Sequence, residues 1–349
     1  MVRAPRGRWK SHQEEKQVQS QQEQNPRRPK GPRPRLTGNH RGSDGPTASS
    51  ASKPPRPKNQ VEVKSHITVE YGCWSCKGED INVGKPIALI LFSGRSRPGD
   101  LHNQLVNLGW IVCSVDMAAP IKTNLLDDGI WEKILADIRL GMYEAVWVAT
   151  PCGSFSPLRE NQPGPRPLRT VEKIQGKPKE ELTQGEQRQL REANVLVSRS
   201  ATAGITQVEA DRIFGLENPD HGPDRPSLWL MPSIKKLEAC AGMKSVHFDQ
   251  CRTGLETTKP TKIILHKAEL EQLDGLRCNH PKRTFEKPDG SKYEASRQSA
   301  VQRWVVGPDG KRERASRSQG EYPAELSEAI AKAFHRTWQA GELKRDPLP

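Results

Sequence analysis

The sequence predicts an α/β fold with a largely parallel sheet and helices on both faces, preceded by a disordered basic tail. Two observations carry the fold class. From Ile87 onward, apolar runs of strand length alternate with amphipathic stretches of helix length, which is the pattern of successive βαβ units. The body from 85 to 275 is also long enough to bury a substantial core. A third observation carries the tail. Residues 1–60 hold 14 Lys/Arg against 4 Asp/Glu and almost no large apolar side chains, so they bury too little surface to offset their ordering entropy.

The elements follow in order. Ile87–Phe92 is a continuous apolar run ending at Ser93-Gly94, and Leu101–Leu108 is a helix with Leu101, Leu105 and Leu108 on one face. Trp110–Val115 is the next strand and ends at Asp116. Ile130–Leu140 is helical, with Ile130, Ile134, Leu135 and Ile138 in a stripe. Asp127 and Asp128 stand ahead of it, where carboxylates cap and favour the helix dipole. Ala145–Ala149 is the third strand. Residues 157–185 are dense in Pro, Gly and charge and read as a long mobile loop. A helix over Gln187–Ala203 follows, then strands near Arg212–Leu216, Ser245–Phe248 and Lys262–Leu265, with a short helix in Ser227–Leu237. Pro323–Trp338 closes the pattern as a helix with Leu326, Ile330, Phe334 and Trp338 at i, i+4 spacing.

This organisation divides the chain into five parts. They are a disordered tail (1–62), a lead-in holding Cys73-Trp74-Ser75-Cys76 (63–84), a catalytic-type domain (85–275), a polar variable insert (276–319) and a C-terminal helix (320–340). The net charge of +13 belongs mainly to the tail, since residues 61–349 contribute only +3. The basic run Arg27–Arg35 reads as a nucleic-acid contact or an import signal, or else as a solubilising linker. No apolar run reaches the roughly 18 residues of a membrane span, and the basic N-terminus has no apolar stretch behind it. Seven irregularly spaced cysteines do not form a disulfide framework, so a reducing, intracellular compartment is expected. That compartment is the nucleus in a eukaryote and the cytoplasm otherwise, and the chain is expected to be a monomer.

Chemistry-bearing residues gather at the expected strand ends, where open α/β sheets bind ligands. They are Ser93-Gly94, Asp116, Thr150-Pro151-Cys152 and Glu217. Gly94 lets backbone approach a ligand, and Asp116 is placed to accept from ribose hydroxyls. The G-x-G-x-x-G fingerprint of dinucleotide sites is absent, so the expected ligand is nucleoside-like and lacks a pyrophosphate. A cysteine on a tight turn after a buried strand is poised for nucleophilic chemistry.

The order of these motifs resembles that of the C5-cytosine DNA methyltransferase family. The shared pieces are Phe92-Ser93-Gly94, Asp116, Pro151-Cys152, Glu217-Asn218, Gln250-Cys251-Arg252 and Gly320-Glu321-Tyr322-Pro323 before a helix. The resemblance implies a Rossmann-like class I methyltransferase sheet with S-adenosylmethionine as cofactor and nucleic acid as partner, DNA ahead of RNA. It implies that Cys152 adds to carbon 6 of cytosine, which makes carbon 5 nucleophilic toward the methyl group. Glu217 would hold the pyrimidine at N3, with Arg252 and Gln250 supporting the base or its loop. Phe92, Ser93, Gly94 and Pro151 would line the cofactor, Asp116 would meet its ribose, and Asp127 or Asp128 its adenine. A duplex substrate would flip its base into the pocket, and the 157–185 loop would close over it.

The sequence departs from the family at several positions. Arg95 and Arg97 stand in the first turn, Leu91 precedes Phe92, Pro219 follows Glu217-Asn218, and Gly153 follows Cys152. These departures motivate a rival reading, a non-catalytic nucleic-acid-binding protein on a decayed methyltransferase fold. A third reading is a different cysteine enzyme, which needs a His base beside Cys152. No metal is assigned. Cys73 and Cys76 lack a second CxxC, and Cys278 and His280 lie about 200 residues downstream of them.

Overall fold

The computed structural model describes residues 84–160, 165–255, 258–281, 283–286, 292–295, 304–306, 312–314 and 320–342. The expected tail and the Cys73–Cys76 lead-in lie outside the described residues, apart from Gly84 at the end of the lead-in.

Six strands form the central sheet. They are β1 (Ile87–Leu91), β2 (Ile111–Val115), β3 (Ala145–Val148), β4 (Ile213–Pro219), β5 (Met243–Asp249) and β6 (Pro260–His266). Their order across the sheet is β2-β1-β3-β4-β6-β5. The first four pair in parallel, whereas β6 runs antiparallel between β4 and β5. The strand order reverses between β1 and β3, and the ligand crevice of an open α/β sheet lies at that point, outside the strands' carboxyl ends.

Period-2 alternation sends neighbouring side chains to opposite faces. Leu89 and Leu91 of β1 join one core cluster, and Ala88 and Ile90 join the other. Against the first face pack α2 (Asp128–Arg139), α3 (Gln184–Glu209) and α4 (Pro232–Glu238). Against the second pack α1 (Leu101–Asn107) and α5 (Ala324–Glu342). The fold is therefore the expected α/β sheet with helices on both faces.

Local signals start the helices. Asp100 accepts from the Asn103 amide at 2.8 Å to cap α1. Asp127 does the same for α2 through Ile130 at 2.9 Å. A reciprocal Thr183–Glu186 capping box opens α3, and Pro232 is the first residue of α4. The stripe expected on α5 is buried at Leu326, Ile330 and Phe334, each worth about 1.5–3 kcal/mol of burial. Trp338 completes it edge-on to Trp110, with ring centroids 6.0 Å apart.

The stretch 157–185 is largely irregular where it is described, as expected of a loop, but it is anchored to the body. Short 3₁₀ turns form at Pro157–Glu160 and Lys179–Glu181. Leu168 makes a small cluster with Leu182 and Leu190, and Arg169 is 2% exposed. High Pro and Gly content concealed these two anchors.

The 276–319 insert contains two antiparallel ladders. One joins β7 (Arg283–Glu286) to β8 (Lys292–Ala295), and the other β9 (Trp304–Val306) to β10 (Arg312–Arg314). Among the described residues, no helix is long and apolar enough to cross a membrane.

Candidate active site

The site is built at the rim where β1, β3 and β4 end. After β1 the chain turns sharply, with Phe92 at φ 61° and Gly94 at φ 71°. Glycine accepts that conformation freely. A bulky aromatic does not, and strain of about 1–3 kcal/mol persists only where surrounding contacts enforce it. Two contacts do so here. The Phe92 amide donates to the Val115 carbonyl at 2.8 Å, and the Gly94 amide donates to Asp116 Oδ2 at 3.1 Å. The other Asp116 oxygen accepts from the Ala118 amide at 2.6 Å. Each carboxylate oxygen keeps a lone pair for a ligand.

Beside this turn lies an open cleft lined by Phe92, Met117, Leu125, Leu126, Pro151 and Leu196, with Asp116 also in its lining. A second, narrow cavity shares Phe92 and reaches Ser93, Gly94, His102, Trp147 and Tyr322.

The cysteine turn is held from several directions. The Asn218 amide donates to the Thr150 carbonyl at 2.7 Å, and Thr150 Oγ1 donates to Ser200 Oγ at 2.7 Å. The Phe155 amide closes the turn onto the Cys152 carbonyl at 2.9 Å. Buried Arg159 donates to the Gly153 carbonyl at 2.7 Å. Buried Arg169 stacks 4.1 Å from the Phe155 ring centre and donates to Ser154 Oγ at 3.1 and 3.2 Å. Burial lowers the Arg169 guanidinium to about 10.

Cys152 itself is half-buried. Burial pushes its thiol up, the Lys259 cation pulls it down, and the Glu217 charge pushes it up again. The sulfur therefore feels both members of a buried pair.

Glu217, at the end of β4, is 4% exposed, and an unpaired carboxylate there would be costly. Both of its oxygens have partners, and Oε2 keeps a lone pair for a ligand. Oε1 accepts from Gln250 Nε2 at 3.2 Å and lies 3.5 Å from Lys259 Nζ. Oε2 accepts from the Tyr322 hydroxyl at 2.9 Å. Burial and the neighbouring carboxylate raise the Tyr322 phenol well above its usual range, so it stays a donor. Trp147 Nε1 donates to the same phenol oxygen at 3.4 Å. The Gln250 amide also reaches Thr261 Oγ1 at 3.0 Å, while its buried Oε1 has no partner among the described residues.

The expected site residues thus fall into three groups. Cys152, Glu217 and Gln250 converge. Phe92, Asp116 and Pro151 line the cleft, and Ser93 and Gly94 line the adjoining cavity. Arg252, Asp127 and Asp128 are turned to other work. Exposed Arg252 donates to the Arg277 carbonyl at 3.2 Å. Asp127 caps α2, and Asp128 pairs with Arg199 of α3. The polar residues that line the cleft near Leu125 are Thr123 and Asn124.

Sequence reasoning missed Lys259, Asn124 and the supporting arginines. It marked the Gly320–Pro323 segment but gave Tyr322 no role. Arg97 does not crowd the cleft, because it pairs with Glu321 at 3.5 Å and donates to the Tyr322 carbonyl at 3.1 Å.

No protein-family model matches the chain, and no curated protein does. Among solved structures, the S. pombe Dnmt2 methyltransferase matches at TM-score 0.29 and 11% identity, over 52% of this chain and 49% of that one. A structure described as a prophage-encoded DNA modification methyltransferase of E. coli matches at TM-score 0.28 and 14% identity, over 52% and 46%. The chain spans about half the length of these relatives. Likeness at this level does not bear on chemistry, which has to be argued from the site itself.

Proposed function

We infer that the protein methylates carbon 5 of cytosine in nucleic acid, DNA ahead of RNA, through a covalent Cys152 adduct with S-adenosylmethionine as methyl donor. The observation that carries this reading is the convergence of a thiol after β3, a buried carboxylate near the end of the adjacent parallel strand β4, and a cation just ahead of the antiparallel strand β6. Cys152 senses both Glu217 and Lys259, and Glu217 and Lys259 lie 3.5 Å apart.

The cleft beside Phe92 has the make-up that an adenosyl group requires. It offers apolar walls for a purine, Asp116 as acceptor for ribose hydroxyls, and Thr123 and Asn124 as further polar groups in its lining. When bound, S-adenosylmethionine supplies an electrophilic methyl group.

The chain's own residues do the rest. Cys152 releases its proton to solvent, and its sulfur bonds to carbon 6 of the pyrimidine. Lys259 favours the thiolate that attacks. Glu217 is held in one orientation by Tyr322 and Gln250 and faces the N3 edge of the base, with Lys259 as the adjacent source of a proton. Addition at carbon 6 would move electron density to carbon 5, which would take the methyl group as the donor's carbon–sulfur bond breaks and the neutral thioether leaves. Loss of the carbon 5 proton to water, with the N3 proton returning to Lys259, would then expel the Cys152 sulfur and restore the ring. A neutral resting thiol suits this scheme, because the nucleophile forms only when the base completes the pocket.

The test is transfer of labelled methyl from S-adenosylmethionine to cytosine-containing DNA and RNA. Transfer by the wild-type chain, lost on Cys152→Ala, is expected. Salt-sensitive nucleic-acid binding without cofactor affinity or methyl transfer would instead support the decayed-fold reading.

A further inference from the structure

We propose that Cys251, Cys278 and His280 bind one zinc ion that staples the Gln250 turn to the segment leading into the insert. The two cysteine sulfurs and one His280 ring nitrogen all lie within 4.8 Å of one another. Cys278 Sγ and His280 Nδ1 are 3.3 Å apart. Tetrahedral zinc, with bonds of about 2.3 Å to sulfur and about 2.0 Å to nitrogen, holds its ligands roughly 3.5–3.8 Å apart. The three atoms therefore need only small rotamer adjustments to close on an ion.

The donor set selects the metal. Two thiolates and an imidazole favour zinc over the oxygen-seeking cations. Binding releases the two thiol protons, and the resulting charges cancel those of the ion. Three protein ligands leave one tetrahedral position for water or a further chain donor.

The surrounding backbone is fixed as a ligand site requires. The 3₁₀ turn Gln250–Thr253 carries Cys251, which is 8% exposed. The strand leading into that turn anchors Cys278, two residues before His280. The Cys278 amide donates to Asp249 Oδ2 at 2.7 Å, and the Asp249 amide donates to the Leu276 carbonyl at 2.9 Å. Thr258 Oγ1 donates to Cys278 Sγ at 3.2 Å, an outer contact of the kind that orients metal thiolates. Arg252, expected in the active site, pins the Arg277 carbonyl instead.

The staple has a consequence for the active site. Gln250 and Cys251 are consecutive, so one turn places the Gln250 amide on Glu217 and the Cys251 sulfur on the metal. Zinc would hold the Glu217 orientation from behind. Cys278 and His280 stand in the first residues of the 276–319 insert, so the ion would tie the start of the insert to the Gln250 turn.

Metal content of the full-length chain, purified without chelators or a metal-affinity tag, tests the proposal. About one zinc per chain is expected. Cobalt substitution should give the visible absorption of a tetrahedral, thiolate-bound ion. Cys278→Ser and His280→Ala should each weaken zinc at least tenfold in chelator competition, and His280→Cys should restore it. Because His280 is half-buried and near the surface, its variants leave the core intact, and the cobalt spectrum is read on folded protein. A chain without zinc overturns the proposal. So does zinc that survives Cys251→Ser with Cys278→Ser but is lost on Cys73→Ser, since that ion sits elsewhere.

Discussion

The Tyr322 hydroxyl donates to the Glu217 carboxylate at 2.9 Å across 105 residues of chain. This bond ties the start of α5 to the end of β4, so the C-terminal helix completes the site as well as the core. Tyr322→Phe removes one donor from a buried carboxylate and leaves Gln250 and Lys259 in place. A loss of about 1.5–3 kcal/mol in stability is expected for a hydrogen bond to a charged group. Methyl transfer should fall roughly 10- to 150-fold with cofactor affinity unchanged, the fall that corresponds to full expression of that stabilisation at the reacting base. Denaturant titration and a kinetic comparison check both parts.

Cys152 should react slowly with iodoacetamide at neutral pH. Its thiol is raised by burial and by Glu217, so the reactive thiolate becomes abundant only above the ordinary thiol range. The alkylation rate should still be climbing where an exposed cysteine has levelled off. Lys259→Met removes the one cation that opposes this shift and should move the profile to higher pH. Mass spectrometry of the Cys152 peptide across pH reads the effect.

The turn that carries Cys152 depends on β4 through Asn218. Asn218→Ala leaves the Thr150 carbonyl without that donor in a buried setting. A cost of about 1–3 kcal/mol is expected for one unsatisfied buried acceptor. The denaturation midpoint should drop with little change in slope.

Gly215 of β4 is needed for the same rim. A methyl group there would come within 2.6 Å of the Trp147 ring. Trp147 cannot yield easily, because it also contacts Tyr322 and Phe334 edge-on at 6.1 and 6.0 Å. Gly215→Ala should cost about 1–3 kcal/mol by overpacking and should disturb Tyr322. Loss of near-ultraviolet circular dichroism from the tryptophan would report it.

Strong period signals made the scaffold legible. Each expected strand is present within a few residues, because buried apolar runs such as Ile87–Leu91 have no polar interruption. The catalytic core was legible only in part. Cys152, Glu217 and Gln250 stand at strand ends, where pattern and position agree. Lys259 was hidden among many surface-type lysines. Tyr322 was hidden by distance: the C-terminal helix was expected to pack back on the sheet domain, but nothing local shows that this hydroxyl reaches Glu217. Arg169 was hidden by composition, because Pro- and Gly-rich surroundings mask a buried anchor. The capping signal ahead of α2 was legible, and Asp127 is the N-cap of that helix, while Asp128 pairs with Arg199. The cluster of Cys251, Cys278 and His280 joins residues 27 apart through an edge-strand contact, which spacing alone does not reveal.

The most direct test of the whole account is covalent trapping. A carbon 5 fluorine cannot leave as a proton, so an oligonucleotide with 5-fluorocytosine should stall on the enzyme after methyl transfer. With S-adenosylmethionine present, the account predicts a denaturant-resistant complex linked at Cys152 and absent in Cys152→Ala. Cofactor and oligonucleotide binding without any such adduct, or an adduct that survives Cys152→Ala, would contradict it.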